Sequence, residues 1–106
     1  MRLYIAGPMT GLPEFNIPAF RRAALLLADA GHAPIDPSQL HPQIGLPWAD
    51  YMRADIPAML ACDGVATLPD WWRSRGARLE VHIASSLEMP VLAVTEWLAN
   101  TAAVTR

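Results

Sequence analysis

Residues 74–94 read SRGARLEVHIASSLEMPVLAV, and they join two patterns that together point to one fold class. The first part is helical: Glu80, Ile83, Ala84 and Leu87 fall at i, i+3, i+4 and i+7 on one stripe, with Ser74 placed as an N-cap. The second part, PVLAV, is apolar without alternation, as expected of a strand buried on both faces of a parallel sheet. Inside this pattern stands an anomaly. Glu80 heads the stripe that should pack on the body of the protein, and a buried carboxylate is costly unless paired or hydrogen-bonded. The position needs either a structural partner or a chemical task.

Upstream, strands and helices keep alternating. RLYIAG (2–7) is a short strand stopped by Gly7-Pro8, and GPMTGLPEF (7–15) is a Gly/Pro-rich loop. Asn16 is placed as an N-cap with Pro18 in the first turn. Phe20, Ala24, Leu27 and Ala28 then recur at helical spacing between Ile17 and Ala30, and Gly31 is a natural C′ residue. APIDP (33–37) reads as a weak edge strand because of its prolines, and residues 37–47 as loop. A helix is expected from Trp48 to Cys62, kinked or restarted at Pro57. DGVATLP (63–69) is a third strand, DWWRSRG (70–76) a loop, and a last short helix lies near Glu96 to Ala103. Alternation of this kind makes a parallel sheet covered on both faces.

The chain has 106 residues, which suits a single domain spanning 1–106. Apolar residues make up 53% and charged residues 17%, enough for a core and for surface buried against a second copy. A formal net charge of −2 gives no general nucleic-acid surface, although Arg73, Arg75 and Arg78 cluster beside Glu80. A lone cysteine, Cys62, excludes an internal disulfide and fits a reducing compartment. The apolar run in MRLYIAGPM is too short for a signal peptide or membrane span. These features lead to the expectation of a cytosolic protein. His32, His41 and His82 have no mutual spacing suited to a metal, and Cys62 has no ligand partner in sequence, so neither a metal nor a cofactor is expected.

In parallel α/β folds ligands bind beyond the carboxyl ends of the strands, where the loops 7–15, 34–46 and 69–74 meet. Glu80 lies in the second turn of the helix leaving the third loop, beside that crevice. Two readings of it stay open: a carboxylate paired with Arg75 or Arg78 near a helix start, or a catalytic nucleophile or base. Ser74 and Gly76 begin the same helix, and the N–H groups of Gly76 and Ala77 suit a phosphate. Taken alone, Asp55 reads as a solvated helix charge, and Asp63 as a cap at the third strand. Trp48, Trp71 and Trp72 either pack or stack on a base.

Together the stretches YIAGPMTG (4–11), ADIPAMLACDGVATLP (54–69) and SRGARLEVHIA (74–84) resemble the nucleoside 2-deoxyribosyltransferase superfamily. Within it, the chain is most similar to a short branch frequent in phages and prophages. The resemblance covers Leu3 to about Val94. It implies a flavodoxin-like three-layer fold with four or five parallel strands, and cleavage of the N-glycosidic bond of 2′-deoxynucleosides. It also implies that Glu80 is the nucleophile, that Asp55 binds and activates the substrate, that Tyr4 orients the glutamate, and that Gly7 lies against the sugar.

The superfamily divides at the position six residues before the nucleophile. Transferases of free nucleosides carry an aspartate there, and hydrolases of deoxynucleoside 5′-monophosphates a serine; this chain has Ser74, followed by Gly76. The implied activity is therefore hydrolysis of 2′-deoxynucleoside 5′-monophosphates to free base and deoxyribose 5-phosphate. The loop GPMTG departs from the hydrolase pattern, with Pro8 and Met9 at places where polar groups are usual and Thr10 as a substitute donor. Asn100 and Thr101 are candidates for a contact with a neighbouring subunit. Base exchange between deoxynucleosides is the near alternative, and a nucleotide-binding module without turnover the distant one. The expected partner is a small deoxynucleotide or nucleoside, with neither a nucleic-acid polymer nor a membrane, and the expected assembly is a homodimer or larger.

Overall fold

The computed structural model describes residues 1–40 and 45–104, with the side chains of 101–104 left aside. Among the described residues four strands and four α-helices alternate: β1 (Arg2–Ala6), α1 (Ile17–Asp29), β2 (Ala33–Ile35), α2 (Trp48–Leu60), β3 (Gly64–Thr67), α3 (Arg75–Ser86), β4 (Val91–Ala93) and α4 (Val94–Val104). The strands form one sheet in the order β2-β1-β3-β4, and every pairing is parallel. The parallel sheet is the one expected from the alternation, and its order is the flavodoxin-like one that the resemblance implied.

Strand β1 distributes its side chains in a way that decides where the chemistry lies. Successive residues on a strand point to opposite faces. Leu3 and Ile5 pack with Phe20, Ala23 and Leu27 of α1 and with Val94 and Trp97 of α4. Tyr4 and Ala6 instead join Met59 of α2 and Ala77 and Ala84 of α3. Tyr4 is thus aimed at the layer formed by α2 and α3. In register it lies between Ile35 of β2 and Val65 of β3, at the centre of the sheet.

Local details follow the expected chemistry at some ends and depart from it at others. Gly31 has φ +93°, the left-handed conformation that closes a helix and that glycine adopts without penalty. Asp63 links the start of β3 to β1, accepting from the Arg2 amide at 2.7 Å through Oδ2. Asn16, expected to cap α1, is itself left-handed and makes no capping bond; its amide donates to the Pro8 carbonyl at 2.9 Å. The side chain is used to tie the loop after β1 instead. Pro57 neither breaks nor restarts α2, which runs through it as one element. The carbonyl deprived of its helical partner belongs to Arg53, an exposed residue that water can serve.

Two further expectations are corrected. β4 is not buried on both faces. Among the described residues it is an edge strand paired only with β3, and it is half-buried along its length. The apolar stripe of α3 is carried by Ala77, Glu80 and Ala84, not by Leu87, which caps the helix and is 59% exposed. The stripe is therefore shifted one turn toward the helix start, and Glu80 sits in its middle rather than at its head. Residues 37–47 include a 3-10 turn at Pro37–Gln39; His41 lies outside the described residues.

Candidate active site

A cavity of about 1010 Å³ opens at the carboxyl ends of β1, β2 and β3. Its floor contains Tyr4, Asp55 and Glu80, and its rim carries Gly7, Thr10, Ser74 and Gly76. The catalytic and substrate-binding candidates Tyr4, Gly7, Thr10, Asp55, Ser74, Gly76 and Glu80 thus line one space. Three different elements deliver the floor residues: Tyr4 comes from β1, Asp55 from α2 and Glu80 from α3. α2 and α3 lie on the sheet face toward which Tyr4 points.

Glu80 is 5% exposed and Asp55 7%. Asp55 is therefore not the solvated helix charge that its sequence position alone implied. Nor is Glu80 held by an arginine. Arg78 donates through Nη1 to the Trp72 carbonyl at 2.9 Å, and Arg75 lies over the Trp48 ring at 3.7 Å. The partner of Glu80 is Tyr4, whose hydroxyl donates to Oε2 within the buried floor.

Burial governs the protonation of this group. Removal from water pushes the Glu80 pKa up to about 8, the nearby Asp55 charge adds to the rise, and the Tyr4 hydrogen bond opposes it. Tyr4 moves well above its ordinary value, first through burial and then through the neighbouring Glu80 and Asp55 carboxylates, so it remains a donor. The floor is thus a poised acid. Glu80 is mostly protonated in the empty site at neutral pH, and its ionised form is high in energy and reactive.

The rim is built from close approaches. A Cβ at Gly7 would stand 2.7 Å from Leu68 Cδ1 and 2.8 Å from Leu68 Cβ, so a larger residue would separate the two loops. Ser74 caps α3, its Oγ accepting from the Ala77 amide at 3.1 Å. The Ala77 N–H, expected to face a ligand, is thereby occupied, and the amides that precede it are those of Arg75 and Gly76. Thr10 is exposed at the mouth.

Several lining residues were not singled out from sequence. Asp70 lies at the rim with a left-handed backbone, φ 63°. The Tyr51 hydroxyl accepts from the Leu46 amide at 3.0 Å, holding one wall. Trp48 lines the cavity, whereas Trp71 packs against the core and Trp72 is 55% exposed. A proline followed by aspartate at a strand end was the available signal for Asp70. Asn100 is exposed on α4, and the side chain of Thr101 lies outside the described residues. Among the described residues, no group of three or more His, Cys, Asp or Glu side chains is arranged to hold a metal ion.

Comparisons with known proteins bear on this geometry. The family model described as a domain of unknown function, DUF4406, matches residues 1–93. No significantly similar curated protein was found. The fold is similar to a solved structure of a 2-deoxyribosyltransferase from the psychrotolerant bacterium Bacillus psychrosaccharolyticus, with a TM-score of 0.63 and 20% identity. That similarity covers 87% of this chain and 71% of the other.

Proposed function

The chain belongs to the DUF4406 family, and from its site we propose that it hydrolyses the N-glycosidic bond of 2′-deoxynucleoside 5′-monophosphates. In this reading it is a short, phage- and prophage-type branch of the deoxyribosyltransferase-like superfamily, acting in the cytosol. Among the described residues no helix is long and apolar enough to cross a membrane. The observation that carries the reading is the buried contact between the Tyr4 hydroxyl and the Glu80 carboxyl beside Asp55, at the floor of an open cavity. A fold shared with a 2-deoxyribosyltransferase supports the substrate class.

The chemistry is a double displacement. Ionised Glu80 forms a bond to C1′ as the C1′–N bond breaks through an oxocarbenium-like state. The departing base takes a proton from solvent and leaves neutral. Water then attacks C1′ of the glycosyl ester as the Asp55 carboxylate takes its proton and passes it back to solvent. Glu80 leaves as carboxylate, and the net products are free base and deoxyribose 5-phosphate. Tyr4 holds the attacking oxygen and releases it as charge transfers to the sugar. If a second base rather than water accepts the sugar, the same steps give base exchange, the reading favoured by the name of the structural neighbour.

Incubating the chain with the deoxynucleoside 5′-monophosphates and with free nucleosides, in the presence and absence of a second free base, tests both readings. Free base with deoxyribose 5-phosphate supports the hydrolase, and a new nucleoside supports exchange. Ser74→Asp sharpens the test, because a carboxylate at the helix start repels a phosphate and accepts a 5′-hydroxyl. Monophosphate binding is expected to fall at least ~10-fold, a charge-assisted contact being replaced by repulsion, with nucleoside binding retained. Equal losses in calorimetry would remove the basis for a phosphate at this position.

Assembly into a homodimer or larger is part of the proposal. Leu12, Phe15 and Trp72 are exposed large apolar groups, the kind of surface that a second copy would cover. Light scattering at micromolar concentration is expected to give a mass at least twice 11.6 kDa. A monomer mass would end this part of the reading.

A further inference from the structure

Arg75 is the first residue of α3, and α3 has no acidic residue in its first turn. A cation there faces the positive pole of the helix, an unfavourable placement, and Arg73 and Arg78 stand close to it in sequence. Among the described residues no carboxylate pairs with Arg75. What holds it is Trp48 from α2: the guanidinium carbon lies 3.7 Å from the ring centroid. Stacking of this kind covers the face of a guanidinium and leaves the N–H donors, which lie in its plane, open at the edge.

Both residues line the cavity together with Ser74 and Gly76. Gly76 also leaves space for this platform. A Cβ there would stand 3.6 Å from Trp48 Nε1 and 3.2 Å from Met52 Sδ. Of the first amides of α3, that of Ala77 is taken by Ser74 and that of Arg78 by the Ser74 carbonyl. The Arg75 and Gly76 amides make no hydrogen bond among the described residues. A planar cation edge beside two amides suits a tetrahedral dianion, which can accept from all of them.

We infer that Arg75, laid on Trp48, is the cation that selects ligands bearing a phosphate monoester at this site, and that Trp48 is the residue that positions it. This rests on the reading of the cavity as a nucleotide site. Trp48 acts through Arg75, so its ring is needed for phosphate and not for the sugar or base. A merely structural stack would matter for stability and not for the choice between phosphorylated and unphosphorylated ligands.

The test is calorimetry on the chain carrying Glu80→Gln, so that ligands are not consumed, with each deoxynucleoside 5′-monophosphate and its nucleoside as probes. Adding Arg75→Gln or Trp48→Leu is expected to weaken the monophosphate at least ~10-fold and the nucleoside less than twofold. Trp48→Phe, which keeps a ring beneath the guanidinium, should restore most of the affinity. The combination of Arg75→Gln with Trp48→Leu should be no worse than Arg75→Gln alone. Equal losses for both probes, an additive combination, or monophosphate binding that no variant alters each overturns the inference, as does a chain that binds no monophosphate. Turnover by the wild-type chain separates the two claims. Arg75-dependent monophosphate binding without cleavage sinks the glycosidase reading and leaves this inference standing. Cleavage of monophosphates that is indifferent to Arg75→Gln does the reverse.

Discussion

Glu80→Gln is expected to lower turnover by at least ~10³, or roughly 4 kcal/mol of barrier, while the chain still folds and binds its ligand. The amide keeps the size of the side chain and can still accept from the Tyr4 hydroxyl. It cannot attack C1′, and it brings no negative charge to the oxocarbenium-like state. A structural Glu80 predicts another pattern, in which activity declines only in proportion to folded protein. Single-turnover assays beside thermal melts of the same variant separate the cases. An early-melting variant that cleaves at close to the wild-type rate would leave Glu80 a structural residue and remove the mechanism.

The second large effect is on pH dependence, and it follows from the burial of the same carboxyl. Glu80 titrates at about 8 in the folded protein against 4.5 in an exposed setting. The folded state therefore binds this proton more tightly than the unfolded chain does. Its contribution to stability is complete below about pH 4.5 and is lost as the pH rises through 8. The total change is on the order of 5 kcal/mol. Glu80→Gln, which cannot ionise, should match the wild type near pH 4 and exceed it in melting temperature by more than ~10 °C near pH 9.

In the wild type, kcat/KM should climb about tenfold per pH unit up to a break near pH 8, as the attacking form is populated. Melting curves of both proteins across that range, with a pH–rate profile of the wild type, check the two limbs. A wild-type melting temperature that tracks the variant at every pH would show that Glu80 is not buried as a protonated acid.

These two expectations also explain why removing the charge should stabilise the fold while ending the chemistry. A carboxylate buried this deeply is expensive in its ionised form. The fold meets that cost with a neutral carboxyl and a tyrosine donor rather than with an arginine. Ligand binding or a rise in pH then supplies the ionised form where it can react.

The layering of this protein was determined by local sequence signals. RLYIAG, DGVATLP and PVLAV are apolar runs bounded by Gly, Pro or Asp, and helical spacing separates them; those patterns alone imply a parallel sheet between helices. The same is true of Gly31, because a helix end that needs a positive φ selects glycine. That Glu80 belongs to the buried stripe of its helix was also legible, since 3.6-residue periodicity places it beside Ala84 whatever surrounds it. Its candidate partners Tyr4 and Asp55, by contrast, entered only through the resemblance of whole motifs.

What only tertiary structure decided is which groups meet. Arg78 and Arg75, two and five residues from the carboxylate, were the near candidates for its partner, and both are directed elsewhere, to the Trp72 carbonyl and to Trp48. Tyr4, 76 residues away, reaches Glu80 because β1 lies at the centre of the sheet and its even-numbered residues face α2 and α3. Sequence spacing could not show this, because sidedness in a sheet depends on where each helix crosses and not on the strand itself. The burial of Asp55, the edge position of β4 and the stack of Arg75 on Trp48 have the same origin. Each depends on long-range packing between elements whose local patterns would have allowed another neighbour.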